Sequence, residues 1–129
     1  MGVPGWILLT HSEDSKPIAI FKDTQNPPIS IPVVMDERVF SDSVFRVVMI
    51  GKDKYVVYDI EYLNGRNLFD VYNYETRYQK VCDILDSFHY PDLSALIPVD
   101  NAPYGTIVRG YEHYDNQPGT MGVFLPVDR

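Results

Sequence analysis

The chain has 129 residues, of which 45% are hydrophobic, and its formal net charge is −7. This length fits one domain spanning residues 1–129, and the apolar fraction suffices for a packed core. The acidic balance argues against a nucleic-acid partner, because phosphate contacts need clustered lysine and arginine. We see no signal peptide and no apolar run long enough to cross a bilayer, so we expect a soluble cytoplasmic protein without membrane contact.

Two short apolar segments near the start predict a β-hairpin. Residues 6–10 are apolar, a polar run follows, and Pro17–Lys22 has the composition of a second strand. Residues 29–34 predict an edge strand, because Pro32 lacks the backbone donor that a central strand needs.

The clearest hairpin lies in the middle of the chain, where residues 44–50 and 54–62 are strand-like. Because side chains alternate across a strand, the second of these strands predicts two faces. The core-like face consists of Val56, Tyr58, Ile60 and Tyr62, and the face that turns acidic consists of Tyr55, Val57, Asp59 and Glu61. Asn64-Gly65 then predicts a tight turn.

One main helix is predicted over Tyr74–Phe88. Asn73 can cap its first turn, and Pro91 stops it from continuing. Apolar residues recur along this segment at spacings of three and four. They are Tyr74, Tyr78, Val81, Leu85 and Phe88. Residues 92–96 are expected to form a single helical turn.

The end of the chain predicts another hairpin, formed by residues 105–113 and 120–127. Strands therefore precede and follow a single helix, an order typical of the α+β class. We expect an α+β domain in which an antiparallel sheet of about six or seven strands, arranged in hairpins, packs on one main helix.

Few residues indicate catalytic chemistry. His11, His89 and His113 lie far apart without the tight spacing of metal ligands, so no metal or other cofactor is expected. The chain contains no glycine-rich phosphate loop and no nucleophile elbow. Cys82 is the single cysteine, which excludes an internal disulfide, and its place in the helical pattern predicts a small core residue.

Tyrosine is unusually frequent, with ten in the chain and six of them between Tyr55 and Tyr78. A flat apolar ring with a hydroxyl suits base stacking and protein interfaces. The same residue also suits pleated, half-buried strands, so a purely structural role stays open.

Residues 55–85 resemble a segment of the covalent nucleotidyltransferases, the family of DNA ligases, RNA ligases and mRNA capping enzymes. The segment is called motif IIIa, and it joins an aromatic-Asp strand, a Leu-Asn/Asp-Gly turn, a leucine and a helix with an arginine. The matching residues here are Tyr58, Asp59, Leu63, Asn64, Gly65, Leu68 and Arg77. A second segment, residues 104–109, is similar to motif IV and matches it at Gly105 and Arg109.

The resemblance implies a purine nucleotide site, in which the ring of Tyr58 or Tyr55 packs on the base. Asp59 and Arg109 are implied as further nucleotide-binding residues. It assigns structural roles to Leu63, Asn64, Gly65 and Arg77.

The sequence departs from the family at the residues that carry catalysis. The Lys-x-Asp-Gly motif that supplies the nucleophile is absent, and the glutamate of motif IV is replaced by Tyr104. The Lys-x-Lys strand of motif V is absent from residues 122–129. The resemblance therefore implies a reduced relative that binds a nucleotide without transferring it.

Three functions follow from these observations. The first is a non-catalytic interaction or binding module, with a protein partner or a second copy of the chain. The second is the reduced nucleotidyltransferase relative, with a purine nucleotide as its ligand. The third is a small hydrolase that uses an acidic cluster of Asp59, Glu61 and Glu112, provided that these carboxylates converge.

Overall fold

The fold is α+β, with a mostly antiparallel seven-stranded sheet and one α-helix in the described residues. A computed structural model describes residues 2–90 and 94–99 with their side chains, and residues 110–113 and 123–126 by their backbone. The helix, α1, is Tyr74–Phe88, and Glu37–Val39 forms a short 3₁₀ turn. The strands are β1 Val3–His11, β2 Pro17–Lys22, β3 Ile29–Ile31, β4 Val34–Met35, β5 Ser43–Gly51, β6 Lys54–Leu63, β7 Arg66–Asn67, β8 His89–Tyr90, β9 Ala95–Pro98, β10 Gly110–His113 and β11 Val123–Pro126.

The main sheet has the strand order β3-β2-β1-β5-β6-β7, and β9 also pairs with β6. The two predicted hairpins, β1 with β2 and β5 with β6, are confirmed. The strand predicted at residues 29–34 is interrupted near Pro32 into β3, which lies at the sheet edge, and β4, which pairs with β8. The prediction of hairpins on one helix is confirmed in part, because β9 joins the sheet in parallel to β6.

The helical turn predicted at residues 92–96 is wrong where the chain is described. Ala95–Pro98 forms strand β9 instead, and the Ala95 amide donates to the Asp53 carbonyl at 2.8 Å. Among the described residues, β9 is the strand that pairs with the first half of β6 on this side, since β7 pairs only with the end of β6. The pairing of β9 with β6 therefore satisfies backbone N–H and C=O groups that an isolated helical turn would leave to solvent.

The C-terminal strands that the structure describes agree with the predicted hairpin. Backbone pairing joins β10 to β11 in antiparallel fashion, with Glu112 opposite Phe124. The other residues of the predicted strands, Arg109 among them, lie outside the described residues.

Helix α1 begins and ends where the sequence predicts. The Asn73 side chain accepts a hydrogen bond from the Thr76 amide at 3.0 Å, which satisfies one unpaired donor of the first turn. The helix packs against the core with Val81, Ile84 and Leu85. Cys82, predicted to be a core residue, is partly exposed and lies outside this cluster. In the described part of the chain, no helix has the length and apolar character needed to span a membrane.

The predicted division of β6 into two faces is wrong. The core cluster takes Tyr55 and Val57 from one predicted face and Ile60 from the other. The pairing of β5 with β6 shifts register three times, and two of these shifts skip a residue of β6, namely Tyr58 and Glu61. Each such β-bulge adds one residue to a strand and re-aims the side chains beyond it, so strict alternation fails.

The sheet has a second face, on the side away from the core cluster. Ile7 and Leu9 of β1 point into the core, so the alternate residues of β1 and of its neighbours point to the opposite side. Val48 and Val56 lie on this second face and are 3% and 2% exposed, so the sheet is covered on both sides here. The second face consists of Trp6, Leu8, Ile18, Ile20, Val44, Arg46, Val48, Val56 and Tyr58.

Candidate functional site

The two tyrosines that the resemblance assigns to a nucleotide lie on opposite faces of the sheet. Tyr55 is 2% exposed and belongs to the core, where its ring centroid lies 5.5 Å from that of Phe21. Burial raises the pKa of the Tyr55 hydroxyl, and the nearby charge of Asp53 adds to the rise. Tyr58 lies on the second face, where its hydroxyl accepts a hydrogen bond from Arg46 Nε at 3.3 Å.

Tyr58 belongs to a group of four side chains, which we call the arginine cluster: Trp6, Arg46, Tyr58 and Glu61. The Arg46 guanidinium lies 5.2 Å from the Trp6 ring centre and 6.0 Å from that of Tyr58. Its Nη1 donates to Glu61 Oε2 at 2.8 Å, and the Trp6 indole Nε1 donates to the same oxygen at 3.3 Å. A cation is thus held by two aromatic rings and a carboxylate.

Three strands position the arginine cluster. Trp6 of β1 and Arg46 of β5 are directly paired, which places their side chains side by side on the second face. Tyr58 and Glu61 are the two residues of β6 at which the bulges skip a position in the register with β5. The bulges therefore direct both side chains towards Arg46, which a regular strand could not do for residues three apart.

The arginine cluster is partly buried. The side chains of Arg46 and Glu61 are 15% and 21% exposed. Burial alone would lower the pKa of the Arg46 guanidinium, but the hydrogen bonds to Tyr58 and Glu61, together with the negative charge of Glu61, outweigh it and raise the pKa. Arg46 is therefore a permanent cation at a site where water is largely excluded.

Asp59 is paired with Arg77 of helix α1. Arg77 Nε donates to Asp59 Oδ1 at 2.8 Å, and Nη2 donates to Oδ2 at 3.2 Å. Their side chains are 2% and 0% exposed. Burial raises the pKa of the Asp59 carboxyl, against the opposing hydrogen bonds from Arg77 and from the Ile60 amide.

Arg77 also completes the loop before α1. Its Nη1 donates to the carbonyls of Phe69 and Tyr72, at 3.2 and 2.7 Å. The guanidinium lies 4.7 Å from the Phe69 ring centre. One side chain thus joins the sheet, the loop and the helix.

The turn after β6 joins two segments of the chain. Asn64 and Gly65 have φ angles of 49° and 82°, which confirms the predicted tight turn. The Asn64 side chain accepts from the Ser41 amide at 3.1 Å and donates to the Arg38 carbonyl at 2.7 Å. Leu63, the residue before the turn, packs against the core. The Asn64 side chain therefore links the 3₁₀ turn and the residues that follow it to the end of β6.

The carboxylates proposed for a hydrolase bind different arginines. Asp59 contacts Arg77, whereas Glu61 contacts Arg46 on the second face. The side chain of Glu112, like Arg109, lies outside the described residues. The two described carboxylates are therefore each neutralised by an ion pair, so neither has the environment of a general base.

Metal ligands do not converge in the part of the chain that the structure describes, where no group of three or more His, Cys, Asp or Glu side chains could hold an ion. His11 is exposed, and the side chain of His113 is outside the described residues. His89 Nε2 accepts a hydrogen bond from the Leu96 amide at 3.0 Å, so this histidine is bound to edge strand β9.

An open groove of about 550 Å³ runs between α1 and β9, lined by Cys82, Asp83, Asp86, His89 and Leu96 among others. A second groove of about the same volume lies along the first turns of α1. Both are shallow and lack a converging set of buried polar groups, so the arginine cluster is the stronger candidate site.

Sequence reasoning missed Trp6 and Arg46. A signal for Arg46 was present, since it is the one charged residue in the apolar strand segment VFRVVMI. Trp6 is the only tryptophan of the chain and lies in a strand predicted from its apolar character alone. Their pairing depends on the register of β1 with β5, which a single sequence does not encode locally.

No protein-family model matches the sequence, and no curated protein matches it. The resemblance to the nucleotidyltransferases therefore stays a prediction based on the residues quoted above.

Proposed function

We propose that this chain is a non-catalytic interaction module that binds a protein partner through the second face of the sheet, at the arginine cluster. The observation that carries the proposal is a permanently charged, partly exposed arginine beside the partly exposed ring of Trp6 and the ring of Tyr58, which is 7% exposed. Tryptophan, tyrosine and arginine are the residues that most often dominate the binding energy of protein interfaces.

The surroundings of the arginine cluster support binding. Leu8 and Val44 are paired with each other on the second face, next to Trp6 and Arg46, and both are partly exposed. An apolar area with one central cation resembles the centre of a protein interface, where charge is sparse and well paired. The ion pairs of Asp59 and Glu61 favour this function over acid-base catalysis.

A second copy of the chain is the first partner to test. Sedimentation velocity from micromolar to millimolar protein should give a sedimentation coefficient that rises with concentration. Arg46→Gln should weaken this association, whereas Arg66→Gln should not, because Arg66 is an exposed arginine on β7. A single monomeric species for the wild type over the whole range would exclude self-association as the function.

A purine nucleotide is the second candidate ligand, favoured by the position of Tyr58 beside the Arg46 guanidinium. An aromatic ring can stack on a base while the arginine binds a phosphate. Specific binding to the folded state must raise the melting temperature once the ligand exceeds its dissociation constant. Thermal-shift titrations with ATP and GTP, with and without Mg²⁺, test this.

Tyr58→Ala should abolish the thermal shift, and Tyr55→Phe is its matched control because the Tyr55 ring lies in the core. The absence of any shift at millimolar nucleotide would contradict nucleotide binding by this chain.

The cytoplasmic location expected from the sequence stays part of the proposal.

A further inference from the structure

Two hydrogen-bond donors from different strands converge on one carboxylate oxygen. Arg46 Nη1 and Trp6 Nε1 lie 2.8 and 3.3 Å from Glu61 Oε2. One donor is a guanidinium that carries a permanent charge, and the other is an indole that can only donate. Together they form a small anion-binding site that the chain's own Glu61 fills.

We propose that Trp6 and Arg46 form a carboxylate-binding site, which Glu61 occupies in the isolated chain and from which an acidic side chain of a partner displaces it. This inference rests on the proposed function, since it names the chemistry of the partner that the arginine cluster recognises. Glu61 then acts as an internal competitor that lowers the affinity for weakly matched partners.

The contrast between the two buried arginine pairs supports exchange at Glu61. Asp59 uses both carboxylate oxygens on Arg77, and both side chains are almost fully buried. Glu61 uses Oε2 alone, no hydrogen bond reaches its Oε1 from the described part of the chain, and its side chain is 21% exposed. The first pair has the geometry of a fixed link, and the second has that of a replaceable one.

The backbone leaves Glu61 able to move while Arg46 stays in place. Among the described residues, only the two contacts at Oε2 hold the Glu61 carboxylate, so a change of side-chain rotamer releases it without moving the backbone. Arg46 remains held by the Tyr58 hydroxyl and by the rings of Trp6 and Tyr58. The site therefore keeps its donors when its internal ligand leaves, as a preorganised binding site requires.

A carboxylate is the ligand that the geometry favours, because a carboxylate already satisfies both donors at hydrogen-bond distance. When Glu61 is shortened, Arg46 Nη1 and Trp6 Nε1 lose the carboxylate oxygen that both contact, and an external carboxylate can take its place.

The test follows the single indole N–H signal of the chain, which belongs to Trp6. ¹H-¹⁵N spectra of the full chain are recorded during titration with sodium acetate, against sodium chloride at equal ionic strength. The variants are Glu61→Ala and Glu61→Gln, with Arg46→Gln/Glu61→Ala to remove the site. Glu13→Ala, an exposed glutamate in the β1–β2 turn, is the charge-matched control.

Acetate should shift the Trp6 signal of Glu61→Ala saturably, with half the effect at about 1–100 mM. The shift should be absent from the double variant and at least tenfold weaker in the wild type and in Glu13→Ala. Glu61→Gln, which keeps the side-chain volume, should respond in the same direction and covers the case in which Glu61→Ala fails to fold.

A folded Glu61 variant whose Trp6 signal does not shift when acetate is added would overturn the inference. An equal response in the double variant would overturn it as well. A response to inorganic phosphate without one to acetate would reassign the site from carboxylate to phosphate. If self-association or nucleotide binding persists while acetate has no effect, the proposed function stands and only the exchange at Glu61 fails.

Discussion

The Asp59 carboxylate and the Arg77 guanidinium form a two-pronged ion pair, with contacts of 2.8 and 3.2 Å, between the sheet and the helix. Neither side chain is more than 2% exposed. Arg77 is also the largest fully buried side chain of the described residues. The same guanidinium binds two carbonyls of the preceding loop, so Arg77 links α1 to the sheet and to this loop, in addition to the core packing of the helix.

Removing either partner of this pair should strongly destabilise the fold. Asp59→Asn leaves Arg77 as a buried charge without its counter-ion, and we expect a loss of about 3–5 kcal/mol of unfolding free energy. Arg77→Met should cost at least as much, because it also leaves the carbonyls of Phe69 and Tyr72 without a donor. Arg77→Lys should not restore the stability, since an ammonium cannot reproduce the two-pronged contact.

Urea denaturation of these variants measures the losses. Asp83→Asn, on the exposed side of the same helix, is the control and should stay within about 0.5 kcal/mol of the wild type. A loss for Asp59→Asn no larger than that of the control would show that the pair is not a structural link.

Gly5 should not tolerate a side chain. A Cβ atom at this position would lie 2.5 Å from the Lys22 carbonyl oxygen and 2.9 Å from the Phe21 ring, so β1 and β2 would have to separate. We expect Gly5→Ala to lower the unfolding free energy by about 1–3 kcal/mol, as overpacking does. Gly51→Ala is the matched control, because no atom lies within 4 Å of a Cβ there. Equal stability of the two variants in urea would contradict the close approach of the strands.

Asn64 should contribute through both its backbone and its side chain. Its φ of 49° is unusual for a residue other than glycine, and its side chain binds the backbone at Ser41 and Arg38. Asn64→Gly keeps the backbone conformation and loses only the side-chain bonds, for which we expect about 1–2 kcal/mol. Asn64→Ala adds backbone strain of about 1 kcal/mol. In thermal or urea unfolding, the wild type should therefore be the most stable, Asn64→Gly less stable and Asn64→Ala the least stable. An Asn64→Ala variant more stable than Asn64→Gly would contradict the role of the backbone conformation.

The elements that the sequence predicted well are those fixed by local chemistry. Helix α1 follows from the Asn73 cap and the spacing of Val81 and Leu85, and the turn at Asn64-Gly65 follows from residues that adopt positive φ. These features depend on neighbours in sequence, so a single chain reveals them.

What the sequence did not reveal depends on contacts between distant residues. The bulges at Tyr58 and Glu61 arise from the pairing of β5 with β6, and they reverse the faces that strict alternation predicts. Arg77 lies four residues before Val81, on the buried side of α1, but a charged residue is assigned to solvent unless its partner is known. Of the three nucleotide-binding residues named by the resemblance that the structure describes, Tyr58 belongs to the arginine cluster, whereas Tyr55 and Asp59 do not.

The stability of the protein should fall as the pH drops through the titration of His89. Its Nε2 accepts a hydrogen bond from the Leu96 amide, so the folded protein requires the neutral imidazole. Burial lowers the pKa of His89 from its usual 6.5, against a weaker opposing interaction with the Val34 backbone. The unfolded chain therefore takes up a proton before the folded chain does, and the folded state loses stability from about pH 7 downwards until the folded pKa is passed.

Urea unfolding at a series of pH values between about 7.5 and 5 measures this dependence. His89→Gln should have a flatter profile than the wild type over this range, because glutamine can accept from the Leu96 amide without titrating. His11→Gln, at an exposed position on β1, should keep the slope of the wild type. A His89→Gln profile as steep as that of the wild type would show that the neutral bond from His89 to β9 is not the source of the pH dependence.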